Sequence, residues 1–198
     1  MNYEDIYLNI HKKRKILFDR KSKCLKPLIN MCEGMDHKTM VMWALSCAKV
    51  TLEAFEMKYS KDLRPRICLE RCEAWSRGEI KMPIAKAAIL NCHALSKELD
   101  DLELAALCHA IAQAGSTLHV KEHAMGLVFY ELTALVIHCE YESFSEIIAE
   151  KIEYYIQELK FWELKVPKMD RPWANFLTDA YKQKNMHKDQ LIKVNKLS

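Results

Sequence analysis

Turn formers are scarce in this chain, with four glycines and five prolines in 198 residues. Strand-like alternation of polar and apolar residues is absent, which argues against a sheet-based fold. The longest apolar run, Ala124 to Cys139, is too short to span a bilayer and carries Glu131 and His138. At the N-terminus, Glu4, Asp5 and Lys12 to Lys15 put charge where a secretory signal would be apolar. An excess of one charge is missing too. Thirty basic residues against 27 acidic ones leave a net charge of +3, so no global field points to nucleic acid. The basic clusters, Lys12-Lys13-Arg14-Lys15 and Lys182, Lys184, Lys188, Lys193 and Lys196, read as a solvated helix face and a frayed terminus. Neither a nucleic-acid nor a membrane partner is expected.

Cysteine is present, but not in a framework. The eight cysteines stand singly among apolar positions, and no CxxC occurs, which excludes zinc-ribbon and thioredoxin readings. Cys68 and Cys72 are an i, i+4 pair on one helix face. Such thiols act as small hydrophobes in a reducing compartment, so the cytoplasm is the expected location. Phosphate-binding glycine loops, serine or cysteine nucleophile motifs and paired acid/base spacings are also lacking. None of these motifs therefore points to catalysis or to a bound cofactor.

What remains is helical periodicity over nearly the whole length. The expected fold is all-α, an irregular bundle of about seven to eight helices with short connections. A first helix is predicted from about Tyr3 to Phe18, followed by a loop around Lys26-Pro27 and Glu33-Gly34. Asp36 caps a long helix with Trp43, Cys47, Val50 and Ala54 on its inner stripe. Pro65 fits the first turn of the next helix, and Gly78 stops it. A fourth helix starts near Met82-Pro83, and Asp100 is the expected cap of a fifth. Gly115 is either the end of that helix or a close contact. The sixth is predicted to carry His119 and His123 on one face before its apolar run. A seventh has the stripe Phe144, Ile148, Ile152, Tyr155, Leu159, Trp162 and ends at Pro167. Trp173, Phe176, Leu177 and Ala180 suggest a short docked helix. The expected organisation is residues 1–35 packed on the core, 36–167 as the main helical domain, and 168–198 as a short helix and tail.

The segment Ser116 to Gly126 concentrates the chemistry. His119-Val120-Lys121-Glu122-His123 matches the H-x-x-E-H string of inverzincin proteases, in which two histidines hold zinc and the glutamate activates water. No third-ligand helix accompanies it. A noncatalytic metal site on His119 and His123, a hydrogen-bonded histidine pair and a partner-binding edge remain open. His93, His109 and His138, on other helices, could converge with them on one polar pocket. Asp62-Leu63-Arg64-Pro65-Arg66 sets two guanidinium groups at a helix start, either to contact an anion or partner or to tie the loop to a neighbouring helix. Glu98-Leu99-Asp100-Asp101-Leu102-Glu103 is an acidic cluster that could attract a basic partner.

Several segments carry a resemblance when taken in order. Asp36-His37-Lys38-Thr39 leads into Trp43-Ala44-Leu45-Ser46-Cys47-Ala48 and then Phe55-Glu56-Met57-Lys58-Tyr59. Asp62, Arg64-Pro65-Arg66, Ala74-Trp75 and Arg77-Gly78-Glu79-Ile80 follow. An Ala-rich helix ends in His93-Ala94, and Thr117-Leu118-His119-Val120 precedes His123-Ala124 and Gly126. In this order they resemble a bacterial family of immunity proteins, the type-five-like group attached to polymorphic toxin systems. The resemblance covers roughly Asp36 to Leu132 and thins towards Pro167. Cys92 and Cys108 depart from it, standing where relatives look alanine-rich.

That resemblance implies an all-helical cytoplasmic protein that binds and neutralises a partner toxin without catalysis. Its expected binding edge is Asp36, His37, Arg64, Arg66, His119 and His123, all at or near predicted helix starts and so able to gather at one end. A homodimer is left open. The competing expectation is a metal- or small-ligand-binding helical protein built on the histidine cluster, with His119 and His123 as the metal ligands.

Overall fold

The computed structural model describes residues 1–178; among these there are eight α-helices and no strand. They are α1 (Glu4–His11), α2 (Lys26–Gly34), α3 (His37–Lys58), α4 (Arg64–Ser76), α5 (Met82–Leu95), α6 (Leu102–Ser116), α7 (Ala124–His138) and α8 (Ser145–Lys165). The expected all-α bundle is the observed one.

α6 is the centre. It packs against α3, α4, α5 and α7, and its buried face is Ala106, Leu107, Cys108, Ala110, Ile111, Ala112, Ala114 and Gly115. Side chains this small let helix axes approach closely. Gly115 is a close contact, because a Cβ there would sit 2.6 Å from Cys72 Sγ and 3.1 Å from Ile89. Gly78, at φ +77°, closes α4 in the left-handed conformation that glycine adopts without strain.

α3 and α8 carry the large side chains. Trp43 is fully buried and donates from Nε1 to the Tyr155 carbonyl at 3.0 Å. The predicted α8 stripe is buried from Ile148 to Trp162. Inside it lies a polar group with no sequence signal: Lys151 Nζ is 2.7 Å from Glu131, whose other oxygen accepts from Tyr155 Oη at 2.5 Å. The N-terminal segment joins the same core through Ile6, Leu17, Phe18, Leu25 and Leu28.

Four boundaries differ from expectation. α1 stops at His11 because the chain turns at Lys13, φ 52°, rather than stack four cations along one helix. Leu17 and Phe18 then enter the core from an extended segment, and the Leu17 amide donates to Thr133 Oγ1. Lys26 to Gly34 is a helix, not a loop, with Pro27 in the first turn where its missing N–H costs nothing. The cap of α6 is Asp101, which accepts from the Leu104 amide at 3.0 Å, one residue beyond the expected Asp100. The predicted sixth helix starts later than expected: α6 ends at Ser116, beside Gly115, and α7 begins only at Ala124, after His119 and His123. The docked segment near the end is a short 3-10 turn, Asn175–Leu177, with Phe176 on Trp75 at 4.9 Å; Ala180 and the basic tail lie outside the described residues.

Candidate functional site

The break between α6 and α7 decides the fate of the histidine pair. Ser116 and Thr117 turn their hydroxyls back onto the Ala112 and Gln113 carbonyls, at 2.9 and 3.2 Å. The chain then leaves the helix, makes a short 3-10 turn at Lys121–His123, and re-enters as α7. His119 and His123 therefore do not share a helix face. His119 is exposed on the connection, whereas His123 is half-buried with Nδ1 2.8 Å from Gln113 Oε1. Gly126 makes room for that contact, since a Cβ would sit 2.7 Å from Gln113 Oε1. Among the described residues, no group of three or more histidine, cysteine or acidic side chains is placed to hold a metal ion.

The start of α3 clamps this connection. Asp36 accepts from the Thr39 amide at 3.1 Å, as a helix cap does. The next residue, His37, places Nε2 2.7 Å from the Thr117 carbonyl. A carbonyl only accepts, so Nε2 of His37 carries the proton. Lys121 Nζ donates to the Met35 carbonyl at 3.0 Å. Beside the clamp opens a cleft of about 280 Å³, with Ile29, Cys32, Met40 and Met125 among its lining and Lys121 and Glu122 at its charged edge.

The two arginines are at the other end of α3. This helix has 22 residues and so runs about 33 Å. Its last residue, Lys58, is 2.5 Å from Glu103 in the first turn of α6, while its first contacts Thr117 beyond the end of α6. Arg64 follows the end of α3 and binds Asp62 through Nε and Nη2 and Glu98 through Nη1 (2.8 Å) and Nη2 (2.5 Å). Arg66 forks onto Glu56. The six residues thus divide into Asp36, His37, His119 and His123 at one end and Arg64 and Arg66 at the other. A helix start marks either end of a bundle of antiparallel helices, so proximity to a start could not place them together.

These ion pairs also consume the acidic cluster. Glu98 belongs to Arg64, Glu103 to Lys58 and Asp101 to the α6 cap, which leaves Asp100. The Arg64 hydrogen bonds hold the Asp62 and Glu98 carboxyls below the usual carboxylate range.

Two other histidines do meet. His93 of α5 and His109 of α6 face each other, Nδ1 to Nδ1 at 2.8 Å, and Ser96 Oγ is 2.9 Å from His109 Nε2. Ser96 has one hydrogen, and it points to the His93 carbonyl at 2.7 Å. His109 Nε2–H therefore donates to Ser96, His109 Nδ1 accepts, and His93 Nδ1–H is its donor. The relay ends on His93 Nε2 as a bare lone pair. Burial, and then the nearby His109, His123 and Lys97, push the His93 imidazole down to about 4. His109 is lowered by burial and by Lys97, and its ring stacks on Tyr130 at 4.7 Å. His138 does not join; it sits exposed near Lys58 and Glu103.

Ser96, Gln113 and Tyr130 had not been anticipated. A signal existed for Gln113, because Ala105, His109, Gln113 and Ser116 are the half-buried positions along one stripe of α6. Ser96 lies three residues past His93, within reach of its carbonyl.

A family model described as Imm-5 like putative immunity protein matches residues 30–158, from within α2 to the third turn from the end of α8. No curated protein and no solved structure matches the chain. Among the described residues, no helix is long and apolar enough to cross a membrane.

Proposed function

The chain belongs to the Imm-5-like immunity protein family, and from that membership we propose that it binds a partner toxin and neutralises it by occlusion, without catalysis. The family match carries this reading. A polymorphic-toxin system in the bacterial cytoplasm is the setting proposed for it. The binding edge proposed is the end formed by Asp36, His37, His119 and His123, joined by the neighbouring cleft. Exposed His119 stands on a connection held at both sides by His37 and Lys121, so a partner meets a preorganised surface. The cleft is large enough for one apolar anchor residue of the kind that dominates protein–protein affinity. Arg64 and Arg66 are assigned to tying α4 to its neighbours.

The test is co-expression with a candidate toxin domain taken from the neighbouring open reading frames. Cells carrying both survive where toxin alone kills, and the pair co-elutes as a stoichiometric complex. His119→Ala lowers the affinity about tenfold or more while the circular dichroism spectrum stays unchanged. Absence of both protection and complex refutes the reading.

A further inference from the structure

Among the described residues, one face of α5 has no helix packed on it. The helix packs on α4 and α6, and its outward side chains include Ile84, Lys86, Ala87 and Leu90. Lys86, Leu90, His93 and Lys97 follow at spacings of four, three and four, which on a helix is one stripe. Lys97 lies just past the helix end, held by its amide to the Ala94 carbonyl at 3.0 Å. Leu90 is 55% exposed. No acidic residue occurs from Met82 to Leu95. Among the described residues neither lysine has an ion-pair partner, in contrast to Lys49, Lys58 and Lys151. Between them stands His93, whose Nε2 is the open end of the relay through His109 and Ser96.

What marks the stripe is the combination of groups, on a helix that carries no acidic side chain. Two cations without counter-charge, an exposed leucine and a fixed hydrogen-bond acceptor describe a complement. We propose that this stripe docks an acidic, apolar segment of the toxin partner, two carboxylates meeting Lys86 and Lys97, an apolar side chain covering Leu90 and a donor bonding His93 Nε2. The proposal rests on the toxin-binding reading above and names the chemistry of the partner. The eleven steps from Lys86 to Lys97 span about 16 Å at the helical rise, so carboxylates three turns apart on a partner helix match them. The depressed proton affinity of His93 keeps its lone pair available at neutral pH.

The probe is the toxin domain, catalytically silenced, titrated by calorimetry at two salt concentrations. Binding by the wild-type chain comes first; if there is none, the toxin-binding reading itself fails and this proposal falls with it. Given binding, the double variant Lys86→Glu with Lys97→Glu weakens it at least a hundredfold and loses most of the salt dependence. Leu90→Asp weakens it at least tenfold. Lys160→Glu, an exposed charge reversal on α8, leaves the affinity within twofold. All these side chains are exposed, so unchanged thermal unfolding confirms that folding is intact. Wild-type affinity in the double variant overturns the proposal and leaves the family reading standing. So does self-association of the chain alone that the double variant abolishes, because the occupant would then be a second copy.

Discussion

The two ends of α3 carry comparable numbers of polar side chains and use them in opposite ways. Where α3 finishes, Lys58, Arg64 and Arg66 are matched to Glu103, Asp62, Glu98 and Glu56, and the charges satisfy one another. Where α3 starts, the polar groups bond to backbone carbonyls and one amide, and His119 faces solvent. Exposed ion pairs add little stability. They do remove their charges from the reach of a partner. A count of charged residues along the chain is therefore a poor guide to where a partner meets charge; α5, with fewer cations than the arginine end, offers more of it.

The largest perturbation expected would erase the comparison. Lys151→Met strands Glu131 in the core with only Tyr155 as a partner, at a cost of about 3–5 kcal/mol. Because Glu131 and Lys151 lie between the two ends, hydrogen exchange should then rise at both together. Loosening at one end alone would show that the ends are separate cooperative units.

Arg64→Ala separates the ends. It costs about 1 kcal/mol, discounted for the exposure of the guanidinium, and leaves Asp62 and Glu98 unpaired near each other. Toxin affinity should be unaffected. A tenfold loss would return Arg64 to the binding surface and remove the division of roles between the two ends.

Acid titration sets a third region against the arginine end, since the α5–α6 histidine pair responds over a different range. His93 is held neutral when folded but takes a proton near its ordinary value of about 6.5 when unfolded. The unfolded state then binds more protons, so stability falls as pH drops from about 6.5 to 4, by on the order of 1 kcal/mol given partial exposure. Asp62 and Glu98 are depressed carboxyls, whose contribution persists above their unfolded range and is lost only as pH falls through their lower folded values. Urea unfolding at a series of pH values should show His93→Gln flattening the first range and Arg64→Ala the second. The smallest stability change is expected from His119→Ala, within about 0.5 kcal/mol at this exposed position. A larger loss would mean that the turn, like the arginine end, is structural.

Much of the architecture could be read from periodicity, because long stripes such as Ile148 to Trp162 specify a helix without ambiguity. Boundaries were harder where one residue type serves two purposes. Pro27 starts a helix as readily as it sits in a loop, and Lys13 could lengthen α1 or turn the chain. Gly115 allowed a helix to end there, but nothing in Ser116 to His123 distinguished a connecting turn from the first turn of the next helix. For the site, residue types were legible and their meeting points were not. His93 and His109 converge because α5 and α6 pack antiparallel through Cys92 and Cys108, a register set by small side chains rather than by the histidines. The Glu131–Lys151 pair was invisible for a similar reason: its partners are twenty residues apart on different helices.

Seven of the eight cysteines are buried, and Cys139 alone is partly exposed. Four of the buried ones, Cys68, Cys72, Cys92 and Cys108, adjoin where α4, α5 and α6 cross, and neighbouring thiols and burial hold Cys68, Cys92 and Cys108 protonated. An alkylating reagent attacks the thiolate, so these sulfurs stay silent while the crossing is closed. The molecule thereby carries its own clock. Under brief exposure to reagent, intact mass resolves a native population one adduct heavier from molecules that have opened and gained up to eight. The ratio of the two, followed in time, reports how often the bundle comes apart in a mixture too complex for spectroscopy.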